Sequence, residues 1–345
     1  MEKSKMNKLT FKQIMIIFFR TLVVGLKNTL KIAWFITKIV VPITFIVKLL
    51  QHLDLLQYIA FIFEPLMKLF GLPGEAALVI LTSNFINIYG GLAVLANLSF
   101  TTKQINVLAI MILFSHSMLL ETAVIKGLGI PKYKQILVRV GASIFAGIVL
   151  NLVIGNSMSE VIVGVGGLTS NYVGFSIESW PLFWLWVKDL FIDFGLASFN
   201  SLKPMIVIIS FVLIGIEFLK ATKVIDHLNN FLHKGTRFLG IRKEATTPLF
   251  VGIFVGIVYG AGSIMLSYKN NEMDKKDVLL VSLFLCLAHA IVEDTLLFGN
   301  VGANIWIILV GRLGFAILMV SILNKIIIHR KRKLNQQLQT KTDAI

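Results

Sequence analysis

Six apolar runs in this chain approach the ~20 residues an α-helix needs to cross a bilayer. They cover residues 32–50, 107–125, 136–154, 204–219, 278–298 and 305–328. Of the 345 residues, 56% are hydrophobic and only 15% are charged, with a mean hydropathy of +0.83. A soluble domain of this length needs far more polar surface, so the pattern reads as an integral membrane protein.

The formal charge of +15 does not indicate nucleic acid, because the basic residues lie in short loops between apolar runs. Such loops are cytoplasmic anchors under the positive-inside rule. The basic run 329–333 (HRKRK) reads the same way. Cys286 is the only cysteine, which excludes a disulfide framework and a Cys-based zinc site. No small-residue cleavage motif follows the basic N-terminus, so a signal peptide is not expected. Phe11, Ile14, Met15, Phe18 and Leu22 instead suit an amphipathic helix in the membrane interface.

The chain contains one pattern twice. Aligning FSHSMLLETAV with LAHAIVEDTLL pairs His116 with His289, Glu121 with Asp294 and Thr122 with Thr295. The same offset pairs Arg139 with Arg312, Gly141 with Gly314 and Asn151 with Asn324. After a short gap, Tyr89-Gly90 pairs with Tyr259-Gly260, and GLPGEA at 71–76 with GIRKEA at 240–245. Rare polar residues recurring in order within an apolar background indicate a duplication.

Each unit then reads as an amphipathic segment (11–26; 180–196), a span, a second amphipathic helix (53–70; 223–239), an interrupted apolar stretch and two full spans. The interruptions are NFINIYGG in the first unit and Tyr259, Gly260, Ala261 and Gly262 in the second. Arms of roughly ten residues reach only about the bilayer midplane at ~1.5 Å per residue, which predicts a re-entrant hairpin. Three crossings per unit would invert the second unit relative to the first. With the N-terminus inside, 25 Lys and Arg fall on the cytoplasmic side; only Lys68, Lys103, Lys188 and Lys203 fall outside. That asymmetry favours six crossings, two hairpins and both termini cytoplasmic over parallel units with full-length crossings.

The expected fold class is therefore all-α integral membrane: two inverted repeats, each of three transmembrane helices plus one re-entrant hairpin, with interfacial amphipathic helices. The expected organisation is a basic N-terminus and interfacial helix (1–28), repeat 1 (29–156, hairpin 74–97) and an external linker with an interfacial helix (157–203). Repeat 2 (204–329, hairpin 244–268) and a basic cytoplasmic tail (330–345) complete it.

Ionisable groups inside spans are costly and mark function by default. They are His116 and Glu121 in one unit and His289, Glu293 and Asp294 in the other. Hairpin tips bring unpaired backbone groups to the midplane. The expected binding set is Ser83, Asn84, Asn87, Tyr89, Gly90, His116, Glu121, Thr122, Tyr259, Gly260, His289, Glu293, Asp294 and Thr295. Structural readings stand beside this one. The carboxylates could hold the hairpins, the histidines could bond between helices, and Arg139 and Arg312 could snorkel or pair with Glu121 and Asp294. Asn151 and Asn324 suit interhelical bonding.

The run FEPLMKLFGLPGEAALVILTSNFINIYGG (63–91), followed by SHSMLLETAV (115–124) and a second copy, resembles the nucleoside-recognition or Gate domain family. That family includes the spore maturation proteins A and B and the membrane part of the ferrous-iron permease, and it is related to concentrative nucleoside transporters. The resemblance spans about residues 30–325 and implies inverted hairpin-containing repeats and transport of a nucleoside-like solute. The polar run Thr82-Ser83-Asn84 and the later Val292-Glu293-Asp294-Thr295 depart from the motifs of the nucleoside transporters. No phosphate-loop GTPase motif is present, so the complete iron permease is not expected.

The leading expectation is a non-enzymatic transporter of a small polar solute in the cell (inner) membrane, with no cofactor and with H⁺ or Na⁺ as the possible coupling ion. One alternative is divalent metal permeation, with His116, Glu121, His289, Glu293, Asp294 and Cys286 as the ligand set. A second is a non-transporting assembly protein. The expected partners are the lipid bilayer, the solute or ion, and either further copies of the chain or another membrane protein.

Overall fold

The structure, a computed structural model, describes residues 11–155, 158, 161–162, 179–222 and 233–342. It is mostly helical. In chain order the helices are α1 (Phe11–His52), α2 (Leu56–Met67), α3 (Ala76–Phe85), α4 (Ile88–Leu95), α5 (Thr102–Ser115), α6 (Met118–Lys126) and α7 (Lys132–Ile154). After these come α8 (Trp180–Ala221), α9 (Thr246–Val255), α10 (Ile257–Lys269), α11 (Lys275–Leu287), α12 (Ile291–Asn300) and α13 (Ile305–Thr342). A two-residue antiparallel ladder pairs β1 (Phe100–Thr101) with β2 (Val161–Ile162).

Among the described residues, six helical segments are long and apolar enough to cross a membrane. Two of them, Thr102–Lys126 and Lys275–Asn300, are 72% buried, against 22% for the other four. These two therefore form the centre, and the other four present their side chains to lipid. The chain is an all-α integral membrane protein.

α1 and α8 are each 42 residues long, about 63 Å at ~1.5 Å per residue, roughly twice the hydrocarbon core. They run antiparallel: Phe18 of α1 packs on Phe218 of α8, while His52 at the far end of α1 meets Asp193. A separate interfacial helix before each first span is expected from sequence, but each pair forms one continuous helix. No residue between 26 and 32 stops α1, and Thr29 Oγ1 donates back to the Gly25 carbonyl within the helix. Pro42 and Pro204 both lie inside helices. The second amphipathic helix expected at 223–239 falls largely outside the described residues; 233–238 is helical.

The interrupted stretches are helical hairpins. α3 and α4 fold back on each other around Ile86 and Asn87, and α9 and α10 around Gly256. The first break falls within the expected interruption NFINIYGG, although Tyr89, Gly90 and Gly91 themselves are in α4; the second lies before Tyr259 to Gly262, which are in α10. Asn87 makes the first break by accepting the Gly90 N–H at 3.0 Å as an N-cap. Gly256 makes the second, at φ +107, a conformation side chains resist. The arms touch closely enough that a Cβ on Gly260 would lie 2.7 Å from the Gly252 Cα.

Candidate functional site

The central spans are not continuous. α5 stops at Ser115, His116 is extended, Ser117 sits at φ 49, and α6 begins at Met118. α11 stops at Leu287, Ala290 sits at φ 44, and α12 begins at Ile291. Ser117 and Ala290 are equivalent in the two units. Each left-handed non-glycine costs roughly 1–2 kcal/mol and marks a held, strained position. Backbone bonds to the hairpins hold them: Ser117 N–H donates to the Ser83 carbonyl at 2.8 Å and Ala290 N–H to the Gly252 carbonyl at 3.2 Å.

A broken helix exposes carbonyls at one end and N–H groups at the other, inside the protein. The arginines answer the first. Arg139 Nε donates to the Phe114 carbonyl at 3.0 Å and Nη2 to the His116 carbonyl at 2.6 Å. Arg312 repeats this on Leu287 at 3.4 Å and His289 at 2.9 Å. The carboxylates answer the second: Glu121 and Asp294 lie in the first turns of α6 and α12, where negative charge suits the helix dipole. Each arginine then meets its own carboxylate. Arg312 Nη1 donates to Asp294 Oδ2 at 2.8 Å. Arg139 Nη2 lies 3.0 Å from Glu121 Oε2, near enough for an ion pair though not aligned as a hydrogen bond.

The two breaks face each other. The rings of His116 and His289 have centroids 5.2 Å apart. In each, Nδ1 contacts the carbonyl four residues back: Ile112 at 3.1 Å and Leu285 at 2.7 Å. A carbonyl only accepts, so this contact assigns the Nδ1 proton and leaves Nε2 of a neutral ring as a lone pair. Both Nε2 atoms point at one oxygen, Glu121 Oε1, at 3.2 and 3.4 Å. Asp294 joins the group: one atom each from His116, His289 and Asp294 lie within 4.8 Å of one another. Thr122 Oγ1 and Thr295 Oγ1 are buried beside the carboxylates with no hydrogen-bond partner. Two imidazole lone pairs facing a carboxylate repel unless a proton or cation lies between them.

Of the other expected residues, Tyr89 joins the two units by donating to Glu293 Oε1 at 2.6 Å. Ser83 is buried and donates to the Ile80 carbonyl, and Asn84 Oδ1 is buried without a partner. Asn87 and Gly90 are engaged in the cap of α4, and Gly260 in packing between hairpin arms. Tyr259 lies apart, 65% exposed. Sequence reading did not single out a second buried cluster, in which His52 Nε2 lies 3.1 Å from Asp193 Oδ2 and Lys48 is buried between α1 and α8. Its charged residues, scattered along apolar helices, were the signal for it.

Compared with known proteins, residues 33–132 and 202–304 match the Gate family, described as nucleoside recognition. The chain belongs to the Gate family. This Gate protein is 30% identical over 303 residues to an uncharacterized membrane protein, YvoD, of Bacillus subtilis (strain 168); the alignment covers 88% of this chain and 92% of that protein. No solved structure matches the Gate protein significantly. Family and fold together make it a transporter-like protein of the membrane.

Proposed function

We propose that this Gate protein is a transporter that passes a divalent first-row transition-metal cation through the cluster of His116, Glu121, His289 and Asp294. The carrying observation is the convergence of both His Nε2 atoms on Glu121 Oε1. Two imidazoles with carboxylate oxygens form a ligand set of intermediate softness, suited to iron, manganese or zinc. All four residues are buried, at 2–4% exposure, so a nucleoside would have to displace them whereas an ion would not. Arg139 and Arg312 already offset Glu121 and Asp294, which weakens cation binding. Permeation calls for that, since an ion must also leave.

The membrane arrangement we propose is two inverted repeats. Each has three crossings and a re-entrant hairpin, and both termini are on the cytoplasmic side of the cell membrane. The antiparallel course of α1 and α8 supports opposite orientations, and the Lys and Arg distribution supports the sidedness.

One observation favours a second reading, a nucleoside-like polar solute: the partnerless Asn84 Oδ1 in the first hairpin, alongside the family's description. Calorimetric titration of purified protein with Mn²⁺, Fe²⁺, Zn²⁺ and a nucleoside panel separates the two. Metal binding that disappears in the His116→Ala/His289→Ala variant supports the first reading. Nucleoside binding without metal binding overturns it in favour of the second.

A further inference from the structure

Away from the histidine pair, a cavity of about 370 Å³ opens between α6, α7, α11 and α13. Its wall along α13 is Met319, Ile322, Leu323, Ile326 and Ile327, and it ends at Arg330. From Arg330 back to Met319 the helix runs about 16 Å at ~1.5 Å per residue. That is about half the ~30 Å hydrocarbon core, the depth of one leaflet.

Lys134 lines the same cavity as Arg330. It also borders an adjoining cavity of about 560 Å³ that includes Lys275 and shares Ile130 and Leu279 with the first. No carboxylate lines either cavity. Two cations, Lys134 and Arg330, therefore line an apolar groove of leaflet depth, and a third, Lys275, lines the cavity beside it.

The groove also holds buried polar atoms with nothing to bind. Gln135 Nε2 donates to the Ile130 carbonyl at 3.1 Å, but its Oε1 has no partner, and neither does Ser282 Oγ. Both side chains line the cavity and both residues are over nine-tenths buried. An orphaned buried polar atom is costly unless a ligand supplies its partner.

We infer that this groove is a binding site for one anionic glycerophospholipid of the phosphatidylglycerol type. The phosphate lies between Lys134 and Arg330. A headgroup hydroxyl donates to Gln135 Oε1, and Ser282 donates to an ester carbonyl. An acyl chain follows Ile326, Ile322 and Met319. A zwitterionic lipid fits the apolar wall equally well, but its own ammonium charge opposes the cationic end.

Native mass spectrometry of the full-length protein, titrated in mild detergent with dioleoyl phosphatidylglycerol or dioleoyl phosphatidylcholine, tests this. The expected result is retention of phosphatidylglycerol about tenfold or more above phosphatidylcholine, in line with the pull of basic residues on anionic lipid. Lys134→Gln/Arg330→Gln should erase that preference. Ile322→Trp, which fills the groove and leaves the charges in place, should lower retention while the melting temperature holds. Equal retention of the two lipids overturns the inference, as does an unchanged preference in the double variant or undiminished retention in Ile322→Trp. Displacement of the lipid by glycerol phosphate alone also overturns it, because the site would then be one for free phosphate.

Discussion

Tyr89 Oη donates a 2.6 Å hydrogen bond to Glu293 Oε1, tying the first hairpin to α12 of the other unit. The equivalent pair in the opposite direction is Tyr259 and Leu120, both well exposed and with no hydrogen bond possible between them. Two units of one pattern therefore hold their hairpins differently: one is latched and the other is not. Tyr89→Phe keeps the ring and removes the latch. An intramolecular hydrogen bond contributes about 0.5–1.5 kcal/mol net, so the melting temperature in detergent should fall. The same change at Tyr259 should leave it nearly unchanged.

Arg139 and Arg312 each bond two carbonyls at a helix break and lie in ion-pair range of one carboxylate. Removing one leaves a buried carboxylate and two carbonyls unpaired, at a cost of about 3–5 kcal/mol. Arg312→Ala and Arg139→Ala should both unfold at markedly lower temperature or fail to accumulate in membranes. Arg312→Lys should rescue only partly, because one ammonium cannot span the fork of contacts that Arg312 makes. A fully stable lysine variant would contradict this account of the breaks.

Gly71 and Gly240 occupy equivalent turns at φ +66 and +75, each roofed by an asparagine from α7 or α13. A Cβ on Gly71 would lie 2.3 Å from Asn151 Oδ1, and one on Gly240 would lie 2.2 Å from Asn324 Nδ2. Gly71→Ala therefore pays both backbone strain and a clash. In an Asn151→Ala background the clash disappears and only the strain, roughly 1–2 kcal/mol, remains. A double-mutant cycle on thermal stability should show that non-additivity. Additive costs would place Asn151 elsewhere.

The polar pairs at one constant offset were legible in the sequence because polar residues are rare in an apolar chain. The sequence left Arg139 and Arg312 either snorkelling or pairing with Glu121 and Asp294; the fold sets each beside its carboxylate. The helix breaks at Ser117 and Ala290 were not legible. Neither is glycine or proline, and each is held in the left-handed region by a hairpin carbonyl that only the tertiary fold supplies. The first hairpin turns at Ile86 and Asn87, inside the expected NFINIYGG; the second turns earlier than Tyr259–Gly262 suggest, because Gly260 serves close packing against Gly252. α1 and α8 run through because the polar residues between their two halves are still helix-compatible.

Removing the ligand nitrogens tests the site without disturbing the arginines. His289→Ala alone should weaken metal binding and leave the fold intact, since Leu285 loses only a side-chain bond. Glu121→Gln should weaken it as well, although it also alters the pairing with Arg139, so its melting temperature must be followed in parallel. Chelation of bound metal should lower the wild-type melting temperature by mass action and leave His116→Ala/His289→Ala unaffected.

Metal uptake into liposomes containing the purified protein tests the central claim most directly. Mn²⁺ entry should be measured for the wild type and for His116→Ala/His289→Ala, with both proteins shown to be folded by their melting temperatures. The expected result is protein-dependent uptake in the wild type that falls to the rate of empty liposomes in the variant. Equal uptake by the two proteins, or none by either while a nucleoside enters, would contradict a cation path through the histidine pair.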